Sequence, residues 1–250
     1  MKILICIKQV PDTTDIKWTA NNTMQREGVE SVINPYDVYA IEEALKLKRS
    51  CGAEITVLSM GPPQAKEMLR HTIALGCDKA VLLSDKAFAG ADTLATSKTI
   101  AAAIKKLGDF DLILCGQFAT DGDTAQTGPS IANNLGLPQV TYVQEILDDF
   151  KIKRVTDDGT EILNVELPAL LCVLKGEYEP SRPLINGIIA GQNAEITVLS
   201  AKDLGLEPNE VGLKGSPTYV NKSFRLVTER HPEIADSVEA LSAKIKEFRA

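Results

Sequence analysis

The segment Gly116-Gln117-Phe118-Ala119-Thr120-Asp121-Gly122-Asp123-Thr124-Ala125-Gln126-Thr127-Gly128-Pro129 concentrates the residue types that hold phosphate and ribose. It follows an apolar run, Phe110–Cys115, that reads as a buried strand, and precedes Ser130–Leu135, which reads as a helix. Loops between strand and helix in an open α/β sheet are where nucleotides bind, because the helix start presents unpaired N–H groups and the positive end of its dipole. Gly122 and Gly128 would let the backbone approach a ligand closely, and Pro129 suits the first helical position. Thr124, Thr127 and Ser130 add hydroxyl donors. Asp121 and Asp123 would repel phosphate, which directs them toward ribose hydroxyls or loop amides. The same composition also suits an ordinary strand-to-helix loop, and the segment alone leaves both readings open.

Other chemistries find little support. The chain has only two histidines, His71 and His231, which argues against a His-based triad or a zinc site. Five cysteines, Cys6, Cys51, Cys77, Cys115 and Cys172, form an odd set with no close pair, so neither a disulfide framework nor a metal motif is expected. Reduced thiols in a cytoplasmic protein fit best. The dinucleotide fingerprint G-x-G-x-x-G, the phosphate loop G-x-x-x-x-G-K-[ST], Ser-Gly-Gly-x-Asp-Ser, a nucleophile elbow and H-E-x-x-H are all missing. Asp12, Asp37, Asp121 and Asp123 could act as bases, but aspartates at such positions are usually caps and turn residues. The inventory therefore points to binding a cofactor that carries the chemistry itself. A net charge of −7 without a Lys/Arg run argues against nucleic acid and anionic membranes as partners. The apolar run at Met1–Lys8 is too short for a signal peptide and reads as a first strand. No stretch is long enough to span a membrane.

The elements that would position the loop alternate regularly. Strands are expected at Lys2–Lys8, Glu54–Met60, Lys79–Ser84, Phe110–Cys115 and Val140–Ile146. Helices are expected from Asn34 or Pro35 to Cys51, over Gln64–Leu75, over Asp92–Leu107 and over Ser130–Leu135, each followed by a glycine. Thr13–Ser31 reads as a loop or small hairpin. This order predicts an α/β fold, a parallel sheet covered on both faces. The segments Lys8–Asp12, Gly61–Pro63, Asp85–Asp92 and Gly116–Pro129 would then share the carboxyl edge of the sheet. Asp157-Asp158-Gly159 between alternating segments predicts a hairpin, Leu167–Leu174 another buried strand, Gly176–Asn186 a surface loop and Ile196–Leu199 a short strand. Residues 1–200 would form the nucleotide-binding α/β domain. Residues 201–250 would form an extended arm, ending in an amphipathic helix over Pro232–Ala250 with Ile234, Val238, Leu241, Ile245 and Phe248 on one stripe. Such a helix packs on another subunit or folds back on its own domain.

Read as a whole, the chain resembles electron transfer flavoprotein β subunits. The resemblance rests on Ile7–Asp12, on Asn34-Pro35-Tyr36-Asp37 followed by Ala40-Ile41-Glu42-Glu43-Ala44, on Ser59-Met60-Gly61-Pro62, on Asp121–Pro129, and on Ile152–Leu163 with Pro168–Cys172. It implies a Rossmann-like sandwich of the adenine-nucleotide α-hydrolase type, with a hairpin addition and a C-terminal arm that wraps a partner. It implies pairing with an electron transfer flavoprotein α subunit that holds a redox FAD. The β subunit would hold a second nucleotide: AMP in one branch of the family, and in the electron-bifurcating branch an FAD that accepts a hydride from NADH. Asp121–Pro129 resembles the bifurcating version. In that branch electrons from NADH are divided between ferredoxin or flavodoxin and, through the α subunit, an acyl-CoA dehydrogenase. By position, Cys6, Asn34, Pro35, Tyr36, Asp37 and Met60 would line the adenosine end, and Asp121, Gly122, Asp123, Thr124, Ala125, Gln126, Thr127, Gly128, Pro129 and Ser130 would wrap the ribose and phosphates. Packing alone also accounts for Cys6, Pro35 and Met60. The family's partner-recognition loop often reads Pro-Arg-Tyr-Pro-Ser-x-Lys-Gly-Ile. Here Glu179-Pro180-Ser181-Arg182-Pro183-Leu184-Ile185-Asn186-Gly187-Ile188 departs from it, with Ser for the first Arg and Asn for Lys. Leu184 or Ile185 remains available as an apolar anchor for the dehydrogenase. A stand-alone nucleotide-binding protein of related fold is the other reading.

Overall fold

The computed structural model describes residues 1–12, 31–221 and 232–248, apart from the side chain of Asp149. It divides into two compact units, Met1–Val220 and Asn221–Ala250. The first is built on one sheet. Its central strands are β1 (Lys2–Ile7), β4 (Glu54–Met60), β5 (Lys79–Leu83), β6 (Leu112–Gly116), β7 (Gln139–Ile146), β10 (Ala169–Val173) and β11 (Thr197–Leu199). These run parallel in the order β11-β5-β4-β1-β6-β10-β7, and the hairpin β8 (Lys151–Thr156) and β9 (Gly159–Asn164) continues the sheet antiparallel beyond β7. Residues Gln9–Pro11 (β2) and Ser31–Ile33 (β3) pair antiparallel in a small separate ribbon. The expected loop between them falls on residues 13–30, outside the described residues.

Strand alternation sorts the core into two layers. Ile3, Ile5, Ile55 and Val57 face α1 (Pro35–Cys51) and α2 (Ala65–Leu75). Leu4, Leu58, Ile113 and Leu170 face α3 (Thr93–Leu107) and α4 (Thr127–Leu135). Ile3, Leu4, Ile5 and Leu114 are fully buried, which is why the strands read as continuous apolar runs. Burying each such side chain is worth roughly 1.5–3 kcal/mol. The chain leaves β1 for β4 and β5 on one side, then crosses back to place β6 on the other. The strand order therefore reverses between β1 and β6, and in open α/β sheets ligands bind in the crevice at that point.

Within the first unit the structure corrects three local expectations. Helix α4 begins at Thr127 rather than Ser130, so Pro129 is its third residue rather than its first. Its missing N–H still costs nothing, because the first turn has no intrahelical acceptor to offer. Residues Ile185–Asn193 form a helix, α5, where the sequence predicted a loop up to Asn186 and nothing beyond. Gly187 and Gly191 hid it by lowering helix propensity, and they are what lets α5 pack. A Cβ at either would overlap the backbone of Ala74 or Arg70 on α2. The stretch after Ser200 is also less extended than expected. Ser200 caps a short helix, α6 (Ala201–Leu204), through a reciprocal bond with Asp203.

Two aspartates tie Ala201–Thr218 to the end of β5 and the start of α3. Asp85 accepts hydrogen bonds from the amides of Ala87 and Ala201. Asp92 caps α3 through Ala95 N, accepts the amide and hydroxyl of Thr218, and donates its own amide to Ser216 Oγ. Between them Val211 is buried, and the Leu213 amide donates to Ala89 O. In the second unit the helix expected from Pro232 begins only at Val238, so Ile234 precedes it, and α7 (Val238–Phe248) presents Val238, Leu241, Ile245 and Phe248 as exposed side chains on one stripe. Among the described residues no helix is long and apolar enough to cross a membrane. Replacing Asp92 by Ala should lower unfolding free energy by about 1–2 kcal/mol through loss of the cap and latch. Denaturant titration measures the loss, and limited proteolysis should show new cleavage between residues 206 and 220. An unchanged digest would mean that the latch does not hold this segment.

Candidate functional site

The site begins with a buried carboxylate. Asn34 caps α1 by position, and Pro35 opens the helix with its fixed φ. Asp37 then falls in the first turn, where the helix dipole favours negative charge. Its Oδ2 accepts the Lys8 amide at 2.6 Å, and its Oδ1 accepts the Gly116 amide at 3.1 Å and the Asn34 side-chain amide at 3.0 Å. The end of β1, the end of β6 and the start of α1 are thereby joined at one side chain. The junction needs Gly116, since a Cβ there would overlap the Asp37 carboxylate and the Tyr36–Asp37 backbone. Burial pushes the Asp37 carboxyl up to about 7, against the pull of the Asn34, Lys8 and Gly116 hydrogen bonds and the Lys8 charge.

Asn34 does not cap with its side chain. Its Nδ2 also donates to Phe118 O at 2.7 Å, and its Oδ1 accepts the Thr120 amide at 3.1 Å. Three partners on two sides fix the orientation of the amide and hold the first half of the 116–129 loop against α1. Phe118 meets Tyr36 and Tyr142 edge-on, with ring centroids 5.4 and 5.9 Å apart. Buried Gln117 accepts the Tyr142 amide at 2.6 Å, where Tyr142 takes a positive φ of 57° at an irregularity in β7. Lys8, Gln117, Phe118 and Thr120 lie within the segments expected at this edge but carry no expected role of their own, and Tyr142 is not expected there at all. Lys8 and the three loop residues carry a positional signal, lying just past the ends of β1 and β6. Tyr142 carries none, because its role depends on a contact across 25 residues.

The second half of the loop turns into α4. Asp121 neither faces a loop amide nor is free, because its buried carboxylate pairs with Lys8 Nζ at 2.5 Å. That ion pair removes one of the two negative charges that would repel an anion here. Asp123 and Ala125 take positive φ values of 48° and 55°, which bends the backbone sharply before the helix. The amides of Gly122 and Asp123 donate to Ala119 O, whereas those of Thr124, Ala125, Gln126 and Thr127 donate to no group among the described residues. Gln126 accepts the Thr93 hydroxyl at 3.0 Å, linking the loop to the start of α3. Gly128 is buried, and a Cβ there would lie 2.5 Å from Cys172 Sγ, so the first turn of α4 sits directly on the sheet.

The expected residues thus fall into three neighbouring sets on the carboxyl edge of the sheet. Asn34 to Asp37 lie at the start of α1, Asp121 to Ser130 in the loop and first turn of α4, and Cys6 and Met60 at the ends of β1 and β4, partly buried on the α3/α4 side. Leu184 and Ile185 lie elsewhere, at the start of α5, 80% and 78% exposed beside Ile188 and Ile189. The geometry fits a phosphorylated nucleotide. Amides at a helix start with no acceptor among the described residues suit phosphate, and the Lys8–Asp121 pair limits repulsion, whereas the glycines at 116 and 128 admit Asp37 and Cys172 and so pack the loop against α1 and the sheet.

Comparison with known proteins agrees with this arrangement. The family model described as Electron transfer flavoprotein domain matches residues 21–204. The chain is 48% identical over 240 residues to the electron transfer flavoprotein subunit beta of Clostridium acetobutylicum, covering 94% of this chain and 92% of that protein. It is 49% identical over 229 residues to the caffeyl-CoA reductase-Etf complex subunit CarD of Acetobacterium woodii, covering 90% and 87%. It is 45% identical over 235 residues to the acryloyl-CoA reductase electron transfer subunit gamma of Anaerotignum propionicum, covering 90% and 88%.

The Asp37 junction makes stability depend on pH in a stated direction. A carboxyl raised from 3.8 to about 7 on folding contributes stability that is complete below pH 3.8. That contribution is lost as pH rises through about 7 and is level beyond. An Asp37→Asn variant lacks the ionisation. Its free energy of unfolding, subtracted from that of the unsubstituted protein, should therefore give a difference that falls with pH by up to about 1.4 kcal/mol per unit across this window. Denaturant titrations at pH 4 to 8 measure the slope. A flat difference would show that the three donors keep Asp37 ionised throughout.

Proposed function

The chain belongs to the electron transfer flavoprotein family as a β subunit, and on that premise we propose that it binds FAD in the crevice between β1 and β6 within a heterodimeric, electron-bifurcating complex. The observation that carries this reading is the Asp121–Pro129 string at the α4 start. It brings unpartnered amides, a neutralised Asp121 and a close-packed Gly128 to the point where the strand order reverses. The α subunit would hold the second flavin. NADH would be the electron donor, and ferredoxin or flavodoxin and an acyl-CoA dehydrogenase the two acceptors. The names of the Acetobacterium and Anaerotignum relatives, which join electron transfer subunits to acyl-CoA-type reductases, support the last of these partners.

A bound flavin supplies the hydride and one-electron chemistry. The residues of this chain bind and orient it. The amides of Thr124 to Thr127, which have no acceptor among the described residues, and the hydroxyls of Thr124, Thr127 and Ser130 suit the pyrophosphate and ribose. Pro35, Tyr36, Cys6 and Met60 suit the adenosine end, with buried Asn34 and Asp37 holding that edge in place. Lys8 holds Asp121 and so keeps the loop closed over the edge of β1. Leu184, Ile185, Ile188 and Ile189 form an exposed apolar ridge suited to the dehydrogenase, and the 201–250 arm with its C-terminal helix is suited to the α subunit.

Nucleotide content of the purified heterodimer, measured by denaturing release and chromatography, tests the reading. Two FAD and no AMP per heterodimer are expected. One FAD with one AMP would overturn it, leaving a non-bifurcating carrier in which the β-subunit nucleotide has a structural role. A chain that is stable and monomeric with no α partner would instead favour a stand-alone nucleotide-binding protein. Lys8→Ala should lower nucleotide retention about tenfold while leaving the fold intact by circular dichroism, as expected for loss of one charge-assisted contact of about 1.5 kcal/mol.

A further inference from the structure

A row of thiols crosses the sheet beneath the loop. Cys6 on β1, Cys115 on β6 and Cys172 on β10 occupy adjacent strands in one line of register, Cys6 opposite Cys115 and Cys115 opposite Cys172. Register partners on neighbouring parallel strands project to the same face. The strand spacing of about 4.8 Å lies within the range of roughly 4.4–6.8 Å between Cα atoms at which disulfides close. All three belong to, or pack against, the α3/α4 layer of the core. They differ in access. Cys115 and Cys172 are buried, whereas Cys6 is partly exposed at the crevice. The hydrogen bond that the Cys115 thiol donates to Cys6, together with burial, holds Cys115 well above its ordinary value, and burial pushes Cys172 up to about 12. Both remain protonated at neutral pH, so neither initiates thiol chemistry. Gly128 closes the row from above at Cys172, where not even a methyl group fits.

We propose that Cys6 and Cys115 form an oxidisable dithiol, in which Cys6 is the site attacked by a hydroperoxide and Cys115 is the resolving thiol. The Cys6 sulfur, as thiolate, attacks one peroxide oxygen and the O–O bond breaks. Cys6 becomes a sulfenic acid, and the departing oxygen takes a proton and leaves as water (or as an alcohol from an organic peroxide). The Cys115 sulfur then attacks the Cys6 sulfur and the S–O bond breaks. The Cys115 proton goes to the departing hydroxide, which leaves as a second water. The two thiols together lose two electrons, and the peroxide gains them. Exposed Cys51, at the end of α1, has no thiol opposite it in the sheet and serves as an internal reference for simple oxidation.

The test uses the full-length chain treated with hydrogen peroxide, alkylated without reductant, digested and mapped by mass spectrometry. The expected product is a linked peptide pair joining Cys6 to Cys115, about 2 Da lighter than the sum of the two free peptides and restored to them by dithiothreitol. In Cys115→Ser, dimedone labelling of Cys6 should rise several-fold, because the sulfenic acid has lost its resolving partner. Oxidation of Cys51 without the Cys6–Cys115 pair would overturn the proposal. So would a Cys115–Cys172 link formed while Cys6 stays reduced, or conversion of Cys6 to a sulfinic acid with no link. The first measurement needs no substitution, so its outcome does not depend on whether a variant folds.

Discussion

A carboxylate taken out of water must be surrounded by donors or protonated, and at Asp37 that requirement organises the carboxyl edge of the sheet. Its donors come from three places distant in the chain: the amide after β1, the amide at the end of β6 and the side chain before α1. Meeting its needs therefore fixes where α1 starts relative to the two central strands. The cost of leaving any donor out is an unsatisfied charge or amide in the interior, about 1–3 kcal/mol or more. The same geometry forces Gly116, because no side chain fits between the strand end and the carboxylate. Asn34 passes the constraint on to the loop through Phe118 and Thr120.

From this junction the two halves of the crevice are built differently. The α1 side is a hydrogen-bonded knot with an aromatic flank of Tyr36, Phe118 and Tyr142. The α4 side is a close approach, in which the first turn of the helix rests on the thiols of the sheet because Gly128 removes the intervening methyl group. Lys8 spans the two by pairing with Asp121. Above this floor lies a loop whose Thr124 to Thr127 amides have no acceptor among the described residues, and the proposed cofactor site rests on that feature. The placement of Cys6 beside that floor is what joins the proposed dithiol to the same edge of the fold.

Away from the crevice, short polar ties extend the order of the first unit. Asp85 and Asp92 each satisfy a nearby amide with one oxygen and a distant segment with the other, and so hold Ala201–Thr218 together with the packing of Ala201, Leu204, Leu206 and Val211 on the α3/α4 layer. Glu42 performs a similar task for the loop before α5, accepting both the amide and the hydroxyl of Ser181. The exposed Leu184 and Ile185 thus stand on a braced segment, although among the described residues nothing covers their own side chains.

Much of the fold was legible in the chain itself. Buried parallel strands must be apolar on both faces, helices covering them must be apolar on one, and glycine ends a helix without strain, so periodicity and punctuation revealed the alternation, the parallel sheet and its edge of loops. The Asp121–Pro129 string and its place between strand and helix were legible for the same reason. What tertiary structure alone decided are the relations between residues far apart in sequence. Asp37 reads as a helix-start residue until Lys8 and Gly116 converge on it. Asp121 reads as a repulsive charge until Lys8 reaches it, and α5 reads as a loop until α2 supplies the surface against which two glycines become an advantage. Three cysteines spaced far apart in the chain become one row only when β1, β6 and β10 lie side by side. Local propensity and pattern are written along the chain, whereas burial, pairing and access depend on which strands become neighbours, and that is settled only when the whole sheet has formed.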